Sequence, residues 1–167
     1  MKVLVAGGAG FIGSNLIDAL LEEGHQVVCV DNYFIGTKEN VKHLSGNPNF
    51  KMYEQDICDL DALKKIFENE KIEYVFHMAA NSDIQASASN PIIEYKNTYS
   101  TTFNLLECMR IYGVKKLFFA STSAVYGEKM GEHVAEHSTS LEPISYYGGS
   151  KLGSEGIISA FSYMNDM

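Results

Sequence analysis

Residues 2–31 read KVLVAGGAGFIGSNLIDALLEEGHQVVCVD. Val3-Leu4-Val5-Ala6 is a short apolar run of the kind that forms a buried parallel strand. Glycines follow at Gly7, Gly8, Gly10 and Gly13, and beyond them Ile12, Leu16, Ala19 and Leu20 recur at helical spacing. The glycines therefore mark a strand-to-helix turn. Gly24 suits the C′ position of that helix, and a second apolar run, Val27-Val28-Cys29-Val30, stops at Asp31.

Each part of this unit has a chemical use. A turn this tight needs backbone angles open to glycine, and side chains there would block a pyrophosphate from the peptide N–H groups. The helix behind it offers unpaired N–H donors and the positive end of its dipole. Asp31 lies 18 residues beyond Gly13, where a carboxylate at the end of the second strand can accept from both ribose hydroxyls of an adenosine. The same carboxylate repels a 2′-phosphate, and no arginine stands among residues 32–37, so NAD is expected rather than NADP.

A chain of 167 residues with 46% hydrophobic and 20% charged residues suits one soluble domain with a proper core. Thirteen basic residues against 21 acidic ones, with no basic run, argue against a nucleic-acid partner. No stretch approaches the ~18 apolar residues that a membrane span needs. Cys29, Cys58 and Cys108 are far apart and unpaired in pattern, as small core residues of a reducing cytoplasm would be. No secretory signal is read at Met1-Lys2, and no metal is expected.

Further along, residues 32–49 read as a loop with a short helix over Lys38–Leu44, and Phe50–Glu54 alternates as a strand leading to Asp56-Ile57. Asp59 can cap a helix to about Asn69 with Leu60, Leu63, Ile66 and Phe67 inward. Tyr74–Met78 is a fourth strand ending in Ala79-Ala80, and 81–90 is a loop. Pro91 opens a helix to about Tyr112, and Lys116–Ala120 is strand five, followed by Ser121-Thr122-Ser123. Residues 127–144 read as a polar loop, and the chain is helical from Ser145. Strands alternating with helices at this spacing predict an α/β fold with a doubly wound parallel sheet, Rossmann-like, whose ligands bind beyond the strands' carboxyl ends.

Tyr147 and Lys151 stand four apart on the last helix and share a face. The lysine is expected to lower the phenol's pKa toward neutrality and to hydrogen-bond nucleotide ribose hydroxyls. A phenolate so tuned removes a sugar hydroxyl proton while hydride leaves the same carbon. Thr122 can share that substrate oxygen. By spacing alone, a pair on a solvated helix face is the commoner reading; the pair gains weight from following the nucleotide-binding half at the distance a second half-domain requires.

The chain resembles the extended short-chain dehydrogenases/reductases, in the NAD-dependent nucleotide-sugar epimerase/dehydratase family. The matching pieces are Gly7 through Gly13, Asp31-Asn32, Asp56-Ile57, His77 through Ala80, Ser121 through Gly127, and Tyr147 through Lys151. The resemblance implies that Tyr147 is the catalytic base, Lys151 its tuner and ribose anchor, and Thr122 the hydroxyl partner, with Ser123 a weaker candidate. It places Gly7, Gly10, Phe11, Ile12, Gly13, Asp31 and Asn32 on NAD, Asp56 and Ile57 beside its adenine, and Ala79, Ala80 and Ser82 along its phosphates and ribose. Asn97 matches the family's structural asparagine. His77 is expected in the core without proton transfer, and Glu94 and the glutamates of 128–142 in solvent.

Family 4,6-dehydratases carry an Asp-Glu pair directly after the threonine, and similar decarboxylases keep a glutamate where Ala124 stands; this chain has Ser123-Ala124. The expectation is therefore 4-epimerisation of a UDP-hexose, with dehydratase, decarboxylase or a non-catalytic NAD sensor as alternatives. Family members are much longer, with further strands and a C-terminal substrate domain. Residues 1–167 are thus expected to be the NAD-binding domain, truncated before those parts, either as a fragment or as a naturally short protein. The fragment alone is expected to be inactive. The resemblance also implies a homodimer through the helices 91–112 and 145–167, with Leu105, Met109, Leu152 and Ile158 as candidates for its face or, alternatively, for the core of a single chain.

Overall fold

The computed structural model describes residues 1–130, 133–137 and 139–167. The first apolar run forms β1 (Lys2–Ala6) and the second β2 (Gln26–Asp31), joined by α1 (Phe11–Glu22). β3 (Phe50–Glu54), β4 (Tyr74–His77) and β5 (Leu117–Phe119) complete a parallel sheet in the order β3-β2-β1-β4-β5. From β1 the chain winds out to β3 and then returns to the other side of β1. The point of reversal lies between the carboxyl ends of β1 and β4, where such sheets leave a crevice. The register aligns Ala6 with Val30 on one side and His77 on the other, and His77 with Phe119. Gly7, Asp31, Met78 and Ala120 therefore emerge along one edge.

β1 and β2 are buried on both faces. Leu4, Ala6, Val28 and Val30 meet α2 (Leu60–Glu70) through Leu63, Ile66 and Phe67, and α5 (Thr101–Tyr112) through Leu105 and Met109. Val3, Val5, Val27 and Cys29 meet Ile17 and Leu20 of α1. Each such side chain contributes about 1.5–3 kcal/mol by leaving water, so this apolar double layer fixes the position of the edge above it. The opposite edge is tied by the buried Glu70. Burial opposes its ionisation, but donors from Lys51, Tyr53 and Lys2 prevail and hold its pKa at about 2.

Most element bounds match the sequence reading, including Lys38–Leu44 as a 3₁₀ turn and Asp59 as the cap of α2, accepting from the Ala62 N–H. The departures are local. The buried stripe of α1 is Gly13, Ser14, Ile17 and Leu20, leaving Ile12 66% exposed. The loop expected at 81–90 contains α3 (Ile84–Ser89), capped by Asp83 accepting from the Ala86 N–H. The helix from Pro91 is not uniform: α4 (Ile92–Glu94) passes into a π-helical turn, Tyr95–Ser100, before α5. Cys58 is only half-buried, its thiol donating to the Lys96 carbonyl. Leu105 and Met109 are core residues and cannot face a partner. Of the loop expected over 127–144, Gly131, Glu132 and Ser138 lie outside the described residues.

Candidate active site

At the first turn, contact rather than flexibility makes glycine obligatory. Gly7 has φ +76°, and a Cβ there would lie 2.6 Å from the Ala79 nitrogen beyond β4. A Cβ on Gly13 would meet the Gly7 carbonyl at 2.3 Å. Helix α1 therefore starts directly against β1, and its N-cap, Gly10, makes no side-chain cap hydrogen bond. The first-turn N–H groups face the crevice with nothing from this chain's side chains capping them, which suits an anionic diphosphate.

Asp31 is buried at the next position along the edge. One of its oxygens accepts from the Ala9 N–H at 2.9 Å, the other from the Tyr33 N–H at 2.7 Å. These bonds tie the glycine turn to the following loop and hold Tyr33 at φ 57°. A carboxylate has about four acceptor positions, so two remain for hydroxyls. Asn32 turns the loop by accepting from the Phe34 N–H, and Gly36 lies against Ala9, where a Cβ would come within 2.7 Å of the backbone.

The other end of the site is built by α6 (Tyr146–Asn165). Ser145 caps it by accepting from the Gly148 N–H at 3.0 Å. Gly148 permits the approach of this first turn to the 3₁₀ turn Ser123–Tyr126, since a Cβ would lie 2.6 Å from the Ala124 carbonyl. Thr122 caps that 3₁₀ turn, accepting from the Ala124 N–H at 3.2 Å, with its hydroxyl beside the Tyr147 phenol. Lys151 is 1% exposed; its ammonium donates to the Ala120 carbonyl at 2.7 Å and lies 4.5 Å from the centre of the Phe119 ring.

The charges run against the expectation for this pair. Tyr147 is pushed above its ordinary value by burial and by Glu94, against the Thr122 hydroxyl. The ammonium addresses the Ala120 carbonyl and the Phe119 ring, and lies 6.0 Å from the centre of the Tyr147 ring. Burial lowers Lys151 itself to about 8, against the pull of Glu94 and Glu155. Glu94, expected in solvent, is 1% exposed and is a second correction. His77 is fully buried, its Nε2 2.9 Å from the Thr102 hydroxyl and its Nδ1 unpartnered. Burial first, then Lys151, lowers its pKa to about 3, so it stays neutral.

One cavity of ≈ 390 Å³ joins the two ends. Gly7, Gly10, Phe11, Ile12 and Gly13 line it at the first turn, and Asp31, Asn32, Asp56 and Ile57 at the β2 side. Ala79, Ala80, Ser82 and Asn97 line its middle, and Tyr147 and Lys151 its far end. Thr122, with its hydroxyl beside Tyr147, and Ser123, in the 3₁₀ turn that follows, do not line the cavity. The glycine cradle, the half-committed Asp31 and a lining that runs from Gly7 to Lys151 fit a dinucleotide. Sequence reasoning missed the apolar pair Phe34-Ile35 on the rim, 58% and 45% exposed, and Glu94. Phe34-Ile35 carried a signal, being apolar in a loop otherwise read as polar; Glu94 carried none.

A glycine-turn crevice at the reversal point of a 3-2-1-4-5 parallel sheet, with a Tyr–Lys pair at one end, defines a Rossmann-like domain. The family profile described as GDP-mannose 4,6 dehydratase matches residues 4–167. The UDP-glucose 4-epimerase of Lacticaseibacillus casei is 37% identical over 158 residues, which cover 95% of this chain and 46% of that protein. The UDP-Glc/GlcNAc 4-epimerase of Campylobacter jejuni superposes with a TM-score of 0.93 at 38% identity, over 99% of this chain and 50% of that one. The UDP-glucose 4-epimerase of Thermus thermophilus, solved in complex with NAD, gives 0.92 at 34% identity, over 100% of this chain and 52% of its own. The chain belongs to the nucleotide-sugar epimerase/dehydratase family of extended short-chain dehydrogenases/reductases. It spans about half the length of the relatives it matches.

Proposed function

We propose that this chain holds NAD and forms the cofactor half of an enzyme that epimerises C4 of a UDP-hexose through a transient 4-keto sugar. The observation that carries the reading is the single cavity with the glycine turn at one end and Tyr147 and Lys151 at the other. Gly7, Gly10 and Gly13, with Phe11 and Ile12, would hold the diphosphate, and Asp31 and Asn32 the adenosine ribose. Asp56 and Ile57 would border the adenine, and Ala79, Ala80, Ser82 and Asn97 the other half. When bound, NAD supplies a hydride acceptor that can return the hydride.

The remaining chemistry belongs to this chain's side chains. Tyr147 takes the proton from the sugar hydroxyl as C4 is oxidised and gives it back on reduction. Thr122 bonds the same oxygen and fixes its position. Lys151 anchors ribose hydroxyls and adds positive charge that favours the phenolate as the site fills. Ser123 and Ala124 offer no acid–base pair for eliminating water, which favours epimerisation over dehydration.

The contacts to sugar and uridine would come from residues beyond these 167, a reading supported by the relatives' greater length. Pairing of α5 and α6 between two copies is part of the proposal. Phe103, 40% exposed and edge-on to Phe161 at 5.7 Å, replaces Leu105 and Met109 as its centre, and light scattering reads the mass. The function is tested by incubating the full-length parent with NAD and a panel of UDP-sugars, with products read by NMR. Interconversion of C4 epimers is expected; accumulation of a 4-keto-6-deoxy sugar would replace epimerase with dehydratase.

A further inference from the structure

The chain leaves β5 with few bonds of its own. The Ala120 N–H keeps one ladder bond, to the His77 carbonyl at 3.2 Å, and the Ser121 N–H then turns back to the Phe119 carbonyl at 3.1 Å. Thr122 follows in extended backbone, φ −152° and ψ 150°, before the 3₁₀ turn that it caps. Ser121 is exposed, where water satisfies a hydroxyl at no cost. It is engaged nonetheless: it donates to the carboxylate of Glu155, 34 positions later on α6. A hydrogen bond to a carboxylate is stronger than one between neutral groups, so this is a tie and not a passing contact.

Glu155 stands one helical turn beyond Lys151, and Lys151 one turn beyond Tyr147, so the three lie along one side of α6. That side grips the β5 exit at consecutive residues. Lys151 holds the Ala120 carbonyl at 2.7 Å, and Glu155 holds the Ser121 hydroxyl. At the start of the helix, Gly148 lies against the Ala124 carbonyl, where a Cβ would come within 2.6 Å. Thr122 is the residue between these fixed points, with its hydroxyl beside the Tyr147 phenol. Two groups that address one substrate oxygen must keep their spacing to within about 0.5 Å. Glu155 itself does not line the cavity, whereas Ser121 does.

We propose that Glu155 is a positioning residue: through Ser121 it fixes the β5 exit against α6 and so sets Thr122 opposite Tyr147. The proposal rests on the reading of Thr122 and Tyr147 as partners on the reacting oxygen, and deepens it. Glu155 has a second route to the site, its charge acting on Lys151 one turn away. Glutamine separates the two routes, because it accepts from Ser121 and carries no charge.

Two measurements test the proposal. In this chain, without NAD or sugar, ¹⁵N relaxation reads the order parameters of the Ser121 and Thr122 amides. Glu155→Ala and Ser121→Ala are each expected to lower them toward about 0.6, and Glu155→Gln to keep them near the rigid value of about 0.85. Both Glu155 replacements are good helix formers, so α6 persists. In the full-length parent the two alanine variants are each expected to cut kcat about tenfold and to leave NAD affinity in place. The double variant should lose no more than either one, since a single tie is broken. Unchanged order parameters, additive losses, or a lower melting temperature with kcat intact would each overturn the proposal. So would a glutamine variant as slow as the alanine one, which would assign the effect to charge. The relaxation measurement involves no reaction: unchanged order parameters leave the epimerase reading standing, and a parent without epimerase activity leaves the relaxation result standing.

Discussion

The two ends of the cavity are built in opposite ways. The glycine-turn end is backbone: Gly7 and Gly13 let β1, α1 and the β4 exit touch, and one carboxylate, Asp31, ties the turn to its neighbour. The Tyr147 end is side chain: Tyr147 and Lys151 come from α6 and Thr122 from the segment after β5, and they meet because α6 packs against α5 and the 3₁₀ turn that Thr122 caps. The first end is fixed mostly by contacts close in sequence and tolerates almost no added atom. The second is built from side chains that reach the cavity from distant parts of the chain.

That contrast sets how substitutions should divide. The largest effect is expected at the side-chain end: Tyr147→Phe in the full-length parent should cost about 10²–10⁴-fold in turnover by removing the general base. Stability and NAD affinity should stay close to those of the parent, so loss of folding in this variant would erase the contrast. At the backbone end, Gly7→Ala combines positive φ with a Cβ 2.6 Å from the Ala79 nitrogen. It should destabilise the chain by more than about 2 kcal/mol in urea, and NAD binding should fall with it. Calorimetric titration should show NADP binding at least about tenfold more weakly than NAD, because Asp31 opposes a 2′-phosphate.

His77 sharpens the comparison through pH. Its folded value, near 3, is depressed below the ordinary 6.5, so the folded state favours the neutral ring. The stability this group contributes is present above about 6.5 and is lost as pH falls from there toward 3. Denaturant midpoints should therefore decline across that window, and His77→Gln should flatten the decline. The smallest effect is expected at Gly149, next to Tyr147 on α6, where a Cβ meets nothing within 4 Å. Gly149→Ala should raise stability by up to about 1 kcal/mol, through helix propensity alone.

The glycine-turn end was legible in the sequence because it is local: strand, glycines, helix and Asp31 follow one another, and each needs a particular residue type. Tyr147 and Lys151 were legible as a pair, since helical spacing puts them on one face. The fate of their charges was not. Periodicity cannot say that the Lys151 ammonium turns to the Ala120 carbonyl, because that carbonyl lies 31 residues away at the end of β5. Nor can it distinguish a glutamate that closes α4 toward water from one that closes it toward Asn81 and Thr98. The π-helical turn at Tyr95–Ser100 was hidden for the same reason: an inserted residue leaves composition unchanged while altering which side chains face the cavity. Leu105 and Met109 were left open between a dimer face and the core, which they occupy, because a helix covered on two sides shows no polar stripe to set its phase.

The central claim is that one ligand reaches both ends. Adding NAD to isotope-labelled chain and following the Gly7 and Gly13 amides together with the Tyr147 ring by NMR tests it most directly. All three signals are expected to move along one saturating curve with a common midpoint. Movement of the glycine amides with the Tyr147 ring unchanged would contradict it.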